Sequence, residues 1–226
     1  MTLEARALLA LSGVYDPELD EPITALGFVE SCDVSDAGEV QVRLRLPTPQ
    51  CAPNFAYLMT ADARAALRRL PDARHVTVTL RDHYTAAEIN AAVAREAGFK
   101  GAFPGETEGD LSALRELFQR KALLARQGRV CAALLAGSTP ERVAPLRVAD
   151  LPDIHDARRC VALRRELGLP HGPDAHAFVA GDGSAIPAAQ LRHWLRRAQL
   201  VATSLESNGG LCRSLLEART RTEVTA

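Results

Sequence analysis

The stretch Arg45 to Phe55, RLPTPQCAPNF, decides how the first half of the chain is read. Before it, Val40, Val42, Leu44 and Leu46 alternate with Gln41, Arg43 and Arg45. A period of two predicts a strand with one face buried. Thr48-Pro49 makes a turn, and Pro53 sits where a proline opens a helix without losing a hydrogen bond. From there Phe55, Leu58, Met59, Ala63, Ala66, Leu67 and Leu70 keep helical spacing until Pro71-Asp72 ends the run. Cys51 therefore lies at or next to a helix N-terminus. Unpaired N–H groups and the positive dipole end favour a thiolate there, so the expectation is a lowered thiol pKa. The competing reading is a small inert filler at a turn, because free cysteine is often buried.

The pattern extends outward from this loop. Thr2 to Val14 reads as a short helix, ended by Asp16-Pro17. Phe28 to Asp33 reads as a strand, Asp36-Ala37-Gly38 as a turn, and Val76, Val78 and Leu80 as a third strand. The order is helix, strand, strand, helix, strand. Ala86 to Ala97 is alanine-rich and helical, and GFKGAFPGETEGD reads as a loop and domain boundary. Beyond it Thr107 and Asp110 resemble a capping pair before a long helix, and Thr139-Pro140 and His155 to Leu167 mark two more. Gly181-Asp182-Gly183 sits at a small hairpin. Helices are expected over Ala188 to Leu205 and Leu211 to Arg219, split by Asn208-Gly209-Gly210. The expected fold class is α+β: a small αββαβ domain over residues 1–98, then a mostly α-helical domain over residues 106–226.

Composition narrows the function. The chain has 226 residues and a formal net charge of -1, with no long run of one sign. A nucleic-acid binder needs a basic surface, so that class is set aside. Lysine occurs only at Lys100 and Lys121, a bias of GC-rich coding and hence of a bacterial source. No basic start with a long apolar core is present, and no apolar run reaches a membrane span. The five cysteines are dispersed, with no CxxC pair, which fits reduced thiols in a cytoplasmic protein. No GxSxG or HExxH occurs, so hydrolase chemistry has little support.

Residues Tyr15 to Leu80 resemble the small iron–sulfur (metal–sulfur) cluster assembly domain of SufT- and PaaD-like proteins. The matching pieces are DPELDEPITALGFV at Asp16 to Val29, the strand Val40 to Leu46, TPQCAP at Thr48 to Pro53, and HVTVTL at His75 to Leu80. The resemblance implies that Cys51 is the reactive cysteine of the Thr-x-x-Cys loop and that Thr48 is the loop's hydroxyl. It also implies that Asp16 and Glu18 lie near that cysteine. Two departures stand out: Cys-Ala-Pro replaces the usual Cys-Pro, and RDHYTAAEIN, Arg81 to Asn90, replaces the usual segment after the last strand. In that segment Asp82, His83, Glu88 and Asn90 are polar groups following a strand end. Carboxylate, imidazole and thiolate together suit Fe²⁺, so His83 joins Cys51 as a candidate metal ligand. The bland alternative has Asp82 or Thr85 capping the next helix.

The C-terminal part, through FPGE, RRCVALRRELGLPHG and LCRSLL, resembles proteins encoded beside actinobacterial soluble di-iron monooxygenases. The expected function is an iron–sulfur or iron-centre maturation factor that delivers metal to a client metalloenzyme, with a transient iron or iron–sulfur cluster as cargo. No rate acceleration is required of it. Expected partners are the client or the assembly machinery, with no nucleic acid and no membrane. A homodimer would let two Cys51 thiolates bridge one cluster. The rival class is an adaptor or folding chaperone for a monooxygenase subunit, and a third reading makes Cys51 a nucleophile with His83 as its base. Elsewhere, Cys160 with His155, His171 and His176 is read as helix core and surface histidines, Cys32 and Cys131 as core, and Cys212 as packing with Leu211, Leu215 and Leu216. His193-Trp194, beside Arg192, Arg196 and Arg197, is read as a solvated basic face with a stem-packing tryptophan, the alternative being a face that docks an acidic partner.

Overall fold

The structure, a computed structural model, describes residues 1–105 and 109–224. Its elements run α1 (Leu3–Leu11), β1 (Tyr15–Asp16), β2 (Glu21–Pro22), β3 (Val29–Val34), β4 (Glu39–Arg45), α2 (Pro53–Arg68), β5 (His75–Arg81), α3 (Ala86–Arg95), α4 (Gly98–Ala102), α5 (Ser112–Leu135), α6 (Pro140–Val143), α7 (His155–Glu166) and α8 (Ala188–Val224). The class is α+β, with a small two-sheet region followed by a mostly helical part. Two compact units divide it: residues 1–113 with 208–226, and residues 114–207.

In the first unit β3, β4 and β5 form one sheet in that order. The β3–β4 pair is antiparallel and the β4–β5 pair parallel, with α2 as the crossover. The period-two pattern is realised: Val40, Val42 and Leu44 are buried while Gln41 and Arg43 are exposed. Val76, Val78 and Leu80 stand beside them in register and bury the same face. Phe55, Leu58, Met59, Ala63 and Leu67 of α2 cover that face, together with α1 and α3. Each buried Leu or Val here contributes roughly 1.5–3 kcal/mol. Arg45 departs from the alternation. It is buried and pairs with Asp82 at 3.6 Å and Glu30 at 4.0 Å.

The turn before β4 depends on Gly38, at φ +82°. A Cβ there would stand 2.6 Å from the Asp72 carbonyl oxygen, so the α2–β5 connection can close over this turn only on glycine. The edge of β5 is met by a side chain. Asn90 of α3 accepts from the Leu80 N–H at 2.8 Å and donates to the Leu80 carbonyl at 3.0 Å, as a neighbouring strand would. A second, two-stranded ladder, β1–β2, pairs Tyr15 with Pro22 and Asp16 with Glu21. Sequence periodicity cannot reveal strands of two residues.

The second unit packs α5, α7 and the first part of α8 around Val130, Cys131, Phe178, Ile186, Leu191 and Trp194. Trp194 packs into this core, with its ring 6.1 Å from that of Phe178, while Arg192, His193, Arg196 and Arg197 around it are exposed. Arg164 is buried and donates to Gln127 Oε1 at 2.7 Å and to the His176 carbonyl at 2.7 Å. Gln127 also accepts from the Val179 N–H at 2.9 Å, so the loop before α8 hangs on these two side chains. Two sequence expectations are corrected here. The glycine-rich stretch after α3 contains the short helix α4, and α8 runs unbroken through Asn208-Gly209-Gly210. Thr107 of the expected capping pair lies outside the described residues.

Candidate functional site

Cys51 stands in the loop that joins β4 to α2. Its N–H reaches back to the Thr48 carbonyl at 3.4 Å, so Thr48 and Cys51 bracket one turn. Ala52 is the N-cap of α2, with Pro53 in the first helical turn. Alanine has no side chain to cap the free N–H groups, and the Ala52 N–H is directed at the Cys51 sulfur, where it favours the thiolate.

The thiol is nevertheless not acidic. Burial pushes it up to about 12, helped by the charges of Asp16, the Cys212 thiol and Glu18, and opposed only in part by the Ala52 N–H. The expectation of a helix-activated thiolate is thus corrected. A helix end with roughly half a unit of charge does not offset desolvation beside two carboxylates. By itself the site holds a neutral thiol at neutral pH. A bound cation would reverse that balance, since metal ligation takes the thiolate.

Asp16 is 6% exposed. Its Oδ1 accepts the N–H groups of Glu18 at 2.8 Å and Leu19 at 3.0 Å, which shapes the turn between β1 and β2. Burial pushes this carboxyl up to about 6, against those two hydrogen bonds, and the nearby Glu18 and Glu21 charges add to the rise. Asp16 and Glu18 therefore belong to the electrostatic surroundings of Cys51. Glu18 is half-buried.

His83 lies close to Cys51 but is engaged with the backbone. Its Nε2 is 2.6 Å from the Cys51 carbonyl oxygen. Its Nδ1 accepts the Thr85 N–H at 3.2 Å. Together these make Nδ1 the acceptor from Thr85 and Nε2 the donor to Cys51. As bonded, neither nitrogen offers a lone pair to a metal, so the geometry gives His83 the task of holding the Cys51 loop. Glu88 is exposed on α3, and Asn90 is committed to Leu80, so neither joins the site. Among the described residues, no three His, Cys, Asp or Glu side chains gather as a metal site.

The structure adds Cys212 to this neighbourhood, which sequence reasoning missed. It is half-buried on α8, and burial with the Asp16 and Glu18 charges raises its pKa, partly offset by Arg213. Of its supposed packing partners Leu216 is buried, but Leu211 is 61% and Leu215 40% exposed. Cys131 and Cys160 are core residues of the second unit, while Cys32 is half-buried on β3. His155 is bonded to Arg126 at 3.1 Å.

Comparison with known proteins agrees with the local reading. Residues 4–80 match the family described as iron-sulfur cluster assembly protein. An "Iron-sulfur cluster carrier protein" of Mycobacterium leprae (strain TN) is 43% identical over 49 residues. That match covers 22% of this chain and 13% of the relative's length, so the chain spans only a small part of that protein. No solved structure matches the chain. No helix among the described residues is long and apolar enough to cross a membrane. Asp16, Glu18, Thr48 and Cys51 thus lie within residues 4–80, the segment that matches the iron-sulfur cluster assembly protein family.

Proposed function

We propose that this chain is a maturation factor that receives iron or an iron–sulfur cluster and delivers it to a client metalloenzyme, with Cys51 as a transient ligand of the cargo. The observation that carries the reading is the half-buried Cys51 thiol beside Asp16 and Glu18, inside the segment that matches the assembly family. The incomplete ligand set suits the task. A carrier must release what it binds, and a site with few protein ligands leaves coordination positions for the receiving protein. Asp16 and Glu18 would attract the cation and tune the thiol, Thr48 would shape the turn, and His83 would orient the Cys51 loop. The protein would carry cargo and not catalyse a turnover.

The finer parts of the reading follow the sequence resemblance. The client would be a multicomponent monooxygenase, and the helical C-terminal part would recognise it. The setting would be the bacterial cytoplasm, and a homodimer would bring two Cys51 loops to one cluster. One observation favours the rival: the high pKa of Cys51 suits an adaptor or chaperone in which the thiol is incidental.

Anaerobic reconstitution with iron and sulfide, followed by metal analysis and visible absorption, separates the two. Wild type gains iron and a sulfide-dependent chromophore, and Cys51→Ser does not. Equal loading of variant and wild type sinks the Cys51 assignment, and no loading of either turns the choice to the adaptor.

A further inference from the structure

The last turns of α8, from Asn208 onward, fold with the N-terminal residues in one compact unit. One stripe of this segment faces inward. Gly209, Cys212, Arg213, Leu216 and Arg219 are buried or half-buried, whereas Leu211, Ser214, Leu215 and Glu217 are exposed. Spacings of three and four place the first set on one helix face.

That face is anchored at both ends of the Cys51 site. Gly209 approaches Glu21 so closely that a Cβ would stand 2.8 Å from its Oε1, and Arg213 pairs with Glu21 at 2.5 Å. Glu21 is the ladder partner of Asp16. Further along, Leu216 packs toward Gly27, where an added Cβ would lie 3.5 Å from Leu216 Cδ2. Arg219 donates to the Leu46 carbonyl at 2.9 Å and pairs with Asp82 at 3.3 Å. Leu46 follows the strand that leads into the Cys51 loop, and Asp82 precedes the His83 ring that holds the Cys51 carbonyl. Cys212 lies on this stripe between Gly209 and Arg213, which meet Glu21, and Leu216 and Arg219 further along meet Gly27 and Leu46. The Asp16 and Glu18 carboxylates act on both thiols, and Cys212 is among the groups that raise the Cys51 pKa.

We infer that Cys212 is the second thiol of the Cys51 site, so that loop and helix together present a two-thiol seat for a thiophilic cation such as iron in a cluster. The identity of the cargo rests on the function proposed above, whereas the pairing of the thiols rests on how the end of α8 is anchored. A seat of two sulfurs fits the absence of a third gathered ligand among the described residues. The remaining positions on the cation fall to sulfide, water or the receiving protein. Two neutral thiols lose two protons when the cation binds, and the electronegative surroundings of Asp16 and Glu18 then face a positive charge and not two bare thiolates.

The test uses two probes on the full chain. Phenylarsine oxide gives up its oxygen as water and forms two As–S bonds, so an adduct that survives excess monothiol requires two neighbouring thiols. Cobalt(II) reports thiolate ligands through its sulfur-to-metal charge-transfer absorption. Wild type should hold the arsenical across Cys51 and Cys212 by peptide mapping, and either single serine variant should lose that adduct. The cobalt band should fall to about half in Cys51→Ser and in Cys212→Ser, and vanish in the double variant. Cys212→Ala, checked by circular dichroism, separates loss of the ligand from loss of fold. If Cys212→Ser and Cys212→Ala keep the full cobalt band while Cys51→Ser loses it, the second thiol is wrong and the cargo reading stands. If the pair captures arsenic and cobalt but wild type takes up no iron or sulfide, the seat stands and the cargo reading falls.

Discussion

Replacing Asp16 with asparagine isolates the energetic consequence of placing a carboxyl beside Cys51. Burial moves the Asp16 pKa from 3.8 to about 6 in the folded chain. At about 1.4 kcal/mol per unit, that rise makes ionised Asp16 a liability of at most about 3 kcal/mol. The sign follows from proton linkage. The folded state binds the Asp16 proton more tightly than the unfolded state, so the stabilisation is fully present below the unfolded pKa. It is lost as pH rises from 3.8 through about 6. The side-chain amide of the variant keeps an acceptor oxygen for the Glu18 and Leu19 N–H groups and carries no charge. Asp16→Asn should therefore be more stable than wild type at pH 7 by up to about 3 kcal/mol, with the difference shrinking toward pH 4. Urea unfolding of both proteins from pH 4 to pH 8, followed by circular dichroism, measures this directly. A variant less stable than wild type at pH 7, or a difference independent of pH, would falsify the account of Asp16 as a strained anion. On the function proposed above, the same variant should load iron less well, because the charge that costs stability would be the one that attracts the cation.

Two further outcomes follow from the geometry. Cargo affinity should rise steeply with pH, about tenfold per unit for each thiol proton released, because both thiols are protonated at neutral pH. Metal titrations between pH 6.5 and 8.5 read that slope: a value near two supports the paired thiols, one supports Cys51 alone, and a flat profile contradicts the protonated thiol. Asn90→Ala should destabilise the chain by about 1–3 kcal/mol, since it strips both partners from the Leu80 backbone at the β5 edge. Thermal unfolding gives the comparison, and an unchanged transition would mean that water replaces Asn90 without loss.

The strands and helices around Cys51 were legible because their signals are local. Alternation of Val40, Val42 and Leu44 and the 3.6 period from Phe55 to Leu67 each arise from one side of an element meeting one core. The loop between them inherits its place from its neighbours, so Cys51, Thr48 and the first turn of α2 could be positioned without coordinates. Asp16 and Glu18 came with the family's opening motif. The protonation of Cys51 was not legible. Its helix-end position is local and argues for a thiolate, but burial and the Asp16 charge are brought by β1 and β2, which periodicity does not detect.

His83 shows the same division. Its type and its place after a strand suggested a ligand, and only the fold revealed that both ring nitrogens are held by Cys51 and Thr85. Asn208-Gly209-Gly210 looked like a break, since each helical glycine costs about 1 kcal/mol relative to alanine. Tertiary packing reversed that preference: the missing Cβ of Gly209 is what lets α8 lie against Glu21, and the unbroken helix brings Cys212 to the site. The sequence by itself determined the αββαβ scaffold, the turn at Cys51 and the family likeness of residues 4–80. Only the tertiary structure decided the charge state of that thiol and its companion, because both depend on groups distant in sequence that desolvation and packing bring together.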